Sequence, residues 1–399
     1  MKICVVGAGP AAAYFIKESL ARSKSAVFDV FEKSSMLLGY LAKGVAPDQR
    51  AIRETIPILE KVFKSPQVNL FTGVEVGKDV DLKNKEHAYS AIVIASGADV
   101  RHIDIAGQKY AVPADKIVRH IADSKPVIAK GRIAVIGNGN VALDISRMLL
   151  HSEEMKKHSS SLEGIEVREV EVIGRHSPEE AKFTNPVLSE LLEYPSSVEI
   201  SERAKRWFAE RGTNVPRPLI RRGQMLMKKD PEHTEHSTLQ KKMKFTFWES
   251  PIWITKKTSR TSAELVDHSK RTENSKENKS NNYGGTENKK NMKKGENDYN
   301  GSKTSKSTLK ITEPSTRYEL TTIDDRGQLR TRECDGIVSA IGYKPKDFSG
   351  ILKGVTVPVY EIGWAKTKGQ GALTDAYTTA QAAADALFAA KECDAQGIE

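Results

Sequence analysis

Ile3-Cys4-Val5-Val6-Gly7-Ala8-Gly9-Pro10-Ala11-Ala12 opens the chain, and Ile133-Ala134-Val135-Ile136-Gly137-Asn138-Gly139-Asn140-Val141-Ala142 repeats its pattern 130 residues later. Each stretch reads as a β-branched strand turning sharply into a helix. The glycines permit a tight turn and close approach of backbone to a pyrophosphate, and the helix that follows points its first amide groups at the anion. Two such turns in one chain predict an α/β protein with two Rossmann-like dinucleotide-binding domains. A chain holding two dinucleotides is suited to passing electrons between them.

The residues beyond each turn differentiate the two sites. After the first, Val27-Phe28-Asp29-Val30-Phe31 reads as a second strand ending at Glu32, 23 residues past Gly9. A carboxylate there can accept both hydroxyls of an unphosphorylated ribose, the bland alternative being a solvated glutamate in a turn. After the second, the strand Val170-Glu171-Val172-Ile173-Gly174 ends in Arg175-His176. Arginine can pair with a 2′-phosphate in bidentate fashion, where a carboxylate would repel it. This assigns FAD to the first site and NADP to the second, with NAD as the alternative there.

These residues carry a family resemblance. Glu32-Lys33, Gly39-Tyr40-Leu41, Gly44-Val45-Ala46-Pro47-Asp48, Ile136 to Asp144, Phe183-Thr184, Phe245 to Pro251, Ala340 to Pro345 and Gly363-Trp364-Ala365-Lys366 together resemble the adrenodoxin reductase family of FAD-dependent ferredoxin-NADP+ reductases. The resemblance implies the glutathione-reductase plan, with electrons passing from NADPH through flavin to a [2Fe-2S] ferredoxin. It assigns Gly7, Gly9, Pro10, Ala11, Glu32, Leu41, Val45, Trp364 and Gly371 to FAD. Gly137, Asn138, Gly139, Asn140, Val141, Arg175 and His176 fall to NADP(H). The FAD domain is then discontinuous, 1–100 and 332–399, with an NADP domain at 101–331 inserted. Ala91 to Gly97 would cross out of the first domain and Ile337 to Gly342 would return to it. The Ala-rich stretch from Ala376 to Ala390 predicts a terminal helix.

Four departures lie close to the chemistry. Gln49 stands where the family carries histidine, and Pro186-Val187-Leu188 where it carries Lys-Glu-Leu; an amide cannot shuttle a proton, and Val187 cannot bond a carboxamide. His176 replaces the second arginine of the phosphate pair, and Lys368 takes the place of a glycine. Slower turnover or altered coenzyme preference is the expected cost. Two rival functions follow: an NADPH-dependent flavin oxidoreductase or monooxygenase acting on a small molecule, and a non-catalytic NADP(H)-binding protein. No acid/base residue is assigned. Asp144, one turn inside the second helix, is a candidate for the domain interface, the more modest reading being an ordinary carboxylate near a helix N-terminus.

Composition narrows the class. The 399 residues suffice for two domains. Cys4, Cys334 and Cys393 include no Cys-x-x-Cys, so neither a disulfide-reducing pair nor a metal cluster is expected. No apolar run approaches the roughly 20 residues of a membrane span. The first strand starts at Lys2 or Ile3, with no leader visible ahead of it. The resemblance implies a mitochondrial matrix or related organelle, and a cytoplasmic setting is the alternative.

Residues 267–310 are Lys-, Asn-, Ser- and Glu-rich and predict a disordered insertion. They hold eleven Lys or Arg against six Asp or Glu, a net +5 and half of the chain's formal +10. A nucleic-acid role is discounted for that reason. The basic segment after the second nucleotide strand, with Arg217, Arg221, Arg222, Lys241 and Lys242, is the expected docking face for an acidic ferredoxin. His102, His151 and Arg119-His120 show no ligand spacing.

Overall fold

The computed structural model describes residues 1–84, 86–211, 215–228, 241–258 and 307–396. The first unit runs β1 (Lys2–Val6), α1 (Pro10–Arg22), β2 (Val27–Glu32), α2 (Gly39–Lys43), α3 (Arg50–Arg53), α4 (Thr55–Val62), β3 (Val68–Thr72) and β4 (Ala91–Ile94). The chain leaves through β5 (Ala98–Val100). The second unit holds β6 (Ala111–Pro113), α5 (Ala114–Ala122), β7 (Val127–Ile136), α6 (Asn140–Leu150), α7 (Ser152–Met155), β8 (Ile165–Ile173) and α8 (Asn185–Leu192). It continues with β9 (Ser197–Ile200), α9 (Glu202–Arg211), α10 (Arg217–Lys228), β10 (Lys242–Thr246) and β11 (Glu249–Thr258). β12 (Leu309–Lys310), β13 (Thr316–Asp324), β14 (Leu329–Cys334) and β15 (Gly336–Ser339) complete it. The return is β16 (Tyr343–Pro345), α11 (Ser349–Leu352), β17 (Val359–Glu361) and α12 (Leu373–Gln396).

Two sheets follow the two glycine turns. The first has the order β17-β4-β1-β2-β3, and the second runs β6-β15-β7-β8-β10-β9 with β12 added beside β7. Every pairing within them is parallel. Strands covered on both faces must be apolar throughout, and Ile3 to Val6 and Ile133 to Ile136 are all buried. In the first core Phe15 of α1 meets Phe28 of β2 edge to face at 6.3 Å, and both are wholly buried. Burial of each such ring contributes about 1.5–3 kcal/mol. A smaller antiparallel sheet, β11-β13-β14, stands beside the second unit.

The domain edges differ from the sequence reading in two places. β15 lies between β6 and β7 in the second sheet, so Gly336 to Ser339, inside the segment 332–399 given to the first domain, belong to the second. The physical reason is burial: Ile337 and Val338 are wholly enclosed there. The crossings themselves are β5 and β16, which pair antiparallel from Tyr343↔Val100 to Pro345↔Ala98, whereas Ala91 to Ile94 pair with β1 and β17. The expected insertion lies outside the described residues as far as 306. At its far edge Leu309 and Lys310 form a strand along Val127 and Ile128, with Leu309 buried. The expected terminal helix is α12, which starts earlier, at Leu373, and packs on α1.

Lys368 has φ +57°, the left-handed conformation that glycine adopts without strain. Replacing this exposed lysine by glycine relieves roughly 1 kcal/mol of strain and adds about 0.4–1 kcal/mol of unfolded-state entropy. Lys368→Gly should therefore unfold in urea at the same concentration as the parent or slightly higher. Gly369→Ala should unfold earlier, because at φ +78° its new Cβ would lie 2.7 Å from the Cβ of Tyr343.

Candidate functional site: two matched nucleotide turns and the seam between them

The two turns are built alike. Gly7 N–H donates to Phe31 O at 2.8 Å, and Gly137 N–H to Ile173 O at 2.8 Å. Ala95 N–H bonds Val6 O, and Ala340 N–H bonds Ile136 O. In each case the turn is clamped between the neighbouring strand on one side and the strand leading out of the sheet on the other. The first glycine of each pair is dictated by the fold. A Cβ on Gly7 (φ +100°) would fall 2.5 Å from Ala95 O, and one on Gly137 (φ +117°) 2.3 Å from Ala340 O. The second glycine is not so constrained. Gly9 and Gly139 have φ of −79° and −104°, and a Cβ would meet nothing nearer than 3.8 and 3.9 Å. Nothing among the described residues requires glycine there, whereas a pyrophosphate approaching the backbone would.

Both helices that follow present free amide groups. No side chain caps α1 or α6, and neither has an acid in its first turn. Pro10 sits at the head of α1, where its missing N–H is no loss. Buried hydroxyls without a partner in the described residues lie beside both turns, at Ser96 and Ser339. The donors and the cradle fit a dinucleotide diphosphate at each turn.

Of the other expected FAD residues, Glu32 and Trp364 lie at the first turn and its helix, and Leu41 and Val45 lie in and against the core of the same unit. Glu32 spans it, Oε2 accepting from Ala8 N–H and Oε1 from Ser34 N–H, each at 2.8 Å. A carboxylate has about four acceptor positions, so two remain for ribose hydroxyls. Gly363 packs so closely on α1 that a Cβ would lie 2.6 Å from that of Ala11. This brings Trp364 to the helix start, and its indole N–H donates to Gly371 O at 3.1 Å. Leu41 is buried in the first core and Val45 packs against it. Trp364 also packs on Tyr343 (4.7 Å) and Tyr40 (5.2 Å). Burial pushes the Tyr343 phenol up to about 12 and that of Tyr40 well above its usual value, so both stay uncharged.

The second turn is tied to the segment that follows β8. Asn138 O accepts from Lys182 and Phe183 N–H, and Asn140 Oδ1 accepts from Thr184 N–H at 2.8 Å. The Asn138 side chain lies against Gly174, where a Cβ would meet its Nδ2 at 2.4 Å. Val141 packs half-buried against the second core. Arg175 is exposed at the end of β8 and donates from Nε to Nε2 of His176 at 3.0 Å. A guanidinium is not deprotonated in proteins, so Arg175 is the dependable cation of the pair. Glu180, which the sequence reading passed over, lies with Oε2 3.8 Å from His176 Nδ1. Bonds from Ser177 hold its carboxyl below the usual range.

A polar seam joins side chains of the two units; Asp144 lies in it, as the interface reading of that residue expects, whereas Arg147 and Glu190 were not singled out in the sequence. Arg147, on α6 and 1% exposed, donates from Nη2 to Asp48 and Asp144 (3.1 Å each) and from Nη1 to Glu190 on α8 at 2.6 Å. Gln49 Nε2 reaches Asp144 Oδ1 at 3.3 Å. The signal was present: Arg147 interrupts the apolar run from Val141 to Leu150, with Asp144 one helical turn before it. Val187, the other departure, packs against the second core. A second tie across the same junction joins Lys43 of α2 to Asp123 after α5 at 2.6 Å.

The expected docking face is altered. Arg222 is half-buried and donates to the carbonyls of Pro178, Ala181 and Phe183, fixing the loop beside the second turn. Lys241 pairs with Glu154 and Lys242 with Glu199. These three are occupied by internal acceptors, and Arg217 and Arg221 are left as the exposed cations of the set. His151 is buried and stacks on Tyr194 at 4.8 Å. Cys4 and Cys334 are free and buried, which pushes both thiols up to about 12. Among the described residues no group of three His, Cys, Asp or Glu could hold a metal ion, and no helix is long and apolar enough to cross a membrane.

Residues 1–193 match the family model of pyridine nucleotide-disulphide oxidoreductases. The chain is 31% identical over 211 residues to the mitochondrial NADPH:adrenodoxin oxidoreductase of Drosophila melanogaster, covering 49% of this chain and 45% of the fly protein. It is 31% identical over 211 residues to NADPH-ferredoxin reductase FprA of Mycobacterium tuberculosis, covering 47% and 46%. Through these alignments the chain spans about half the length of the curated relatives it matches. The structure of Mycobacterium tuberculosis FprA in complex with NADPH superposes with a TM-score of 0.72 at 21% identity, covering 99% of this chain and 85% of that one. Paired parallel sheets with matched glycine turns therefore have the fold of the two-dinucleotide pyridine nucleotide oxidoreductases. In sequence the chain is similar to adrenodoxin and ferredoxin-NADP reductases, one of them mitochondrial and the other bacterial.

Proposed function

We propose that the chain is a flavoprotein reductase that takes electrons from NADPH through FAD and delivers them singly to a small [2Fe-2S] ferredoxin. The observation that supports this most is the matched pair of turns with opposite ends, Glu32 across the first and Arg175 beyond the second. Bound FAD supplies the conversion between a two-electron donor and one-electron acceptors. The chain's own residues bind and orient. The free amides of α1 and the Gly9 backbone would hold the FAD diphosphate, Glu32 the ribose, and Trp364 the wall beside it. The amides of α6, with Asn140 tying the turn to Thr184, would hold the diphosphate of NADP, and Arg175 its 2′-phosphate. Arg217 and Arg221 would lie toward an acidic protein partner, whose binding should weaken as salt rises. By analogy with the fly relative, the setting would be a mitochondrion or related organelle.

Anaerobic titration with NADPH and with NADH, read on the visible flavin band, tests the reading. Bleaching by NADPH at far lower concentration, followed by reduction of an added [2Fe-2S] ferredoxin, is the expected result. Arg175→Ala should raise the NADPH concentration needed by about tenfold or more and leave NADH nearly unaffected, since a charge-assisted pair contributes roughly 1.5–3 kcal/mol. Equal losses for both coenzymes would remove Arg175 from the phosphate. A yellow protein that neither coenzyme bleaches would favour the non-catalytic nucleotide-binding protein. Bleaching without ferredoxin reduction would favour the small-molecule oxidoreductase.

A further inference from the structure

Arg147 is the largest fully buried side chain of the described residues, and its partners come from both units. Asp48 belongs to the segment 44–49 of the first unit, next to Val45, which packs on the first core. Asp144 shares α6 with Arg147, and Glu190 comes from α8. The guanidinium is planar and forked, so it holds three carboxylates in one geometry where a lysine would offer only a point charge. Arg147 lies seven residues into α6, about 10 Å from the amides that face the second turn. A short rigid path therefore runs from that turn, along α6, through Arg147 and Asp48, to the loop expected beside the flavin.

We propose that Arg147 is a positioning residue that couples the two dinucleotide sites, so that nucleotide bound at the Gly137 turn tightens retention of FAD at the Gly7 turn. The inference rests on the two-site reading above. Ordering α6 by a ligand fixes Arg147, Arg147 fixes Asp48, and the loop 44–49 then has less freedom to lose when FAD binds. Linkage makes the effect reciprocal. The arrangement resists sliding because a buried guanidinium separated from its carboxylates leaves unpaired charge. Gln49, bonded to Asp144, adds a second contact across the same seam. The Lys43–Asp123 pair closes the junction further out, between side chains about a quarter exposed.

The test is the dissociation constant of FAD from the apoprotein, measured by recovery of flavin fluorescence with and without saturating NADP+. The parent protein should hold FAD at least about fivefold more tightly with NADP+ present, the lower end of ordinary allosteric coupling. Asp48→Asn removes the charge that crosses the seam while keeping its shape, and should bring that ratio close to one while still binding each nucleotide. Arg147→Met, of similar length and apolar, should do the same, and if it fails to fold the Asp48→Asn result decides. Arg147→Lys should restore part of the ratio. A role confined to stability would lower the melting temperature of these variants and leave the ratio intact. An unchanged ratio in Asp48→Asn, or no coupling in the parent, overturns the proposal. A parent protein that binds neither nucleotide overturns the two-site reading itself.

Discussion

Gly139→Ala should fold like the parent and lose its pyridine nucleotide. The residue heads α6 with φ −104°, which alanine adopts freely, and the nearest atom to the new methyl would be Lys182 Cβ at 3.9 Å. Loss of a favoured N-cap residue and gain from a stiffer unfolded chain are each worth up to about 1 kcal/mol and oppose one another. Stability should stay within about 1 kcal/mol by urea unfolding. Affinity is another matter, because the methyl occupies the side from which a diphosphate approaches, and loss of even two charge-assisted amide contacts costs roughly 3 kcal/mol, or about a hundredfold. Gly137→Ala should behave differently. Its methyl would lie 2.3 and 2.7 Å from backbone O and C of Ala340, which cannot swing aside, at φ +117°. Strain and overlap together amount to about 2–5 kcal/mol, enough to compromise the second unit outright. The contrast separates a glycine kept for folding from one kept for a ligand. Isothermal titration with NADP+ and urea curves on both variants check it, and a Gly139→Ala protein that binds NADP+ like the parent would remove the diphosphate from this turn.

The parts of the site legible in the sequence are those set by neighbours along the chain. A β-branched run, a glycine turn and an apolar helix are local, so both turns were placed correctly, as was Glu32 at the end of β2. Partners brought together by the fold were not legible. Ile337-Val338 would suit either sheet, and only pairing with Ala134 and Val135, some 200 residues away, puts it in the second. Arg222, Lys241 and Lys242 read as a basic cluster because charge is visible in a sequence and its neutralising partners are not. Pro178 O, Glu154 and Glu199 come from other segments entirely. The same blindness hid all of the seam but Asp144. Asp48, Arg147 and Glu190 are separated by 99 and 43 residues, and nothing in the Gly-Val-Ala-Pro-Asp stretch announces that its aspartate faces a buried arginine.

That seam also sets how stability responds to pH. Burial, first of all, and then the carboxylates of Glu190 and Asp48 push the Asp144 carboxyl from 3.8 up to about 7, against the opposing pull of Arg147. The facing groups are thus Asp48 and Gln49 from the loop, Arg147 on α6 itself, Glu190 from α8, and the uncharged Tyr40 from α2. A carboxyl whose pKa rises on folding keeps its proton in the native state where the unfolded chain has lost it. Its contribution is therefore fully present below about pH 4 and is lost as the pH rises through about 7. A shift of this size corresponds to at most about 4 kcal/mol at 1.36 kcal/mol per unit. Asp144→Asn mimics the protonated form, since its Oδ1 can still accept from Arg147 and Gln49. Urea unfolding should find it equal to the parent near pH 4 and more stable by roughly 1–3 kcal/mol at pH 8, with a flatter profile between. The opposite sign at pH 8 would mean that the ionised pair with Arg147 outweighs desolvation, which buried ion pairs achieve only when their geometry is good and every other donor is satisfied. Arg147 Nε has no partner among the described residues, so this seam falls short of that condition, and the amide should win.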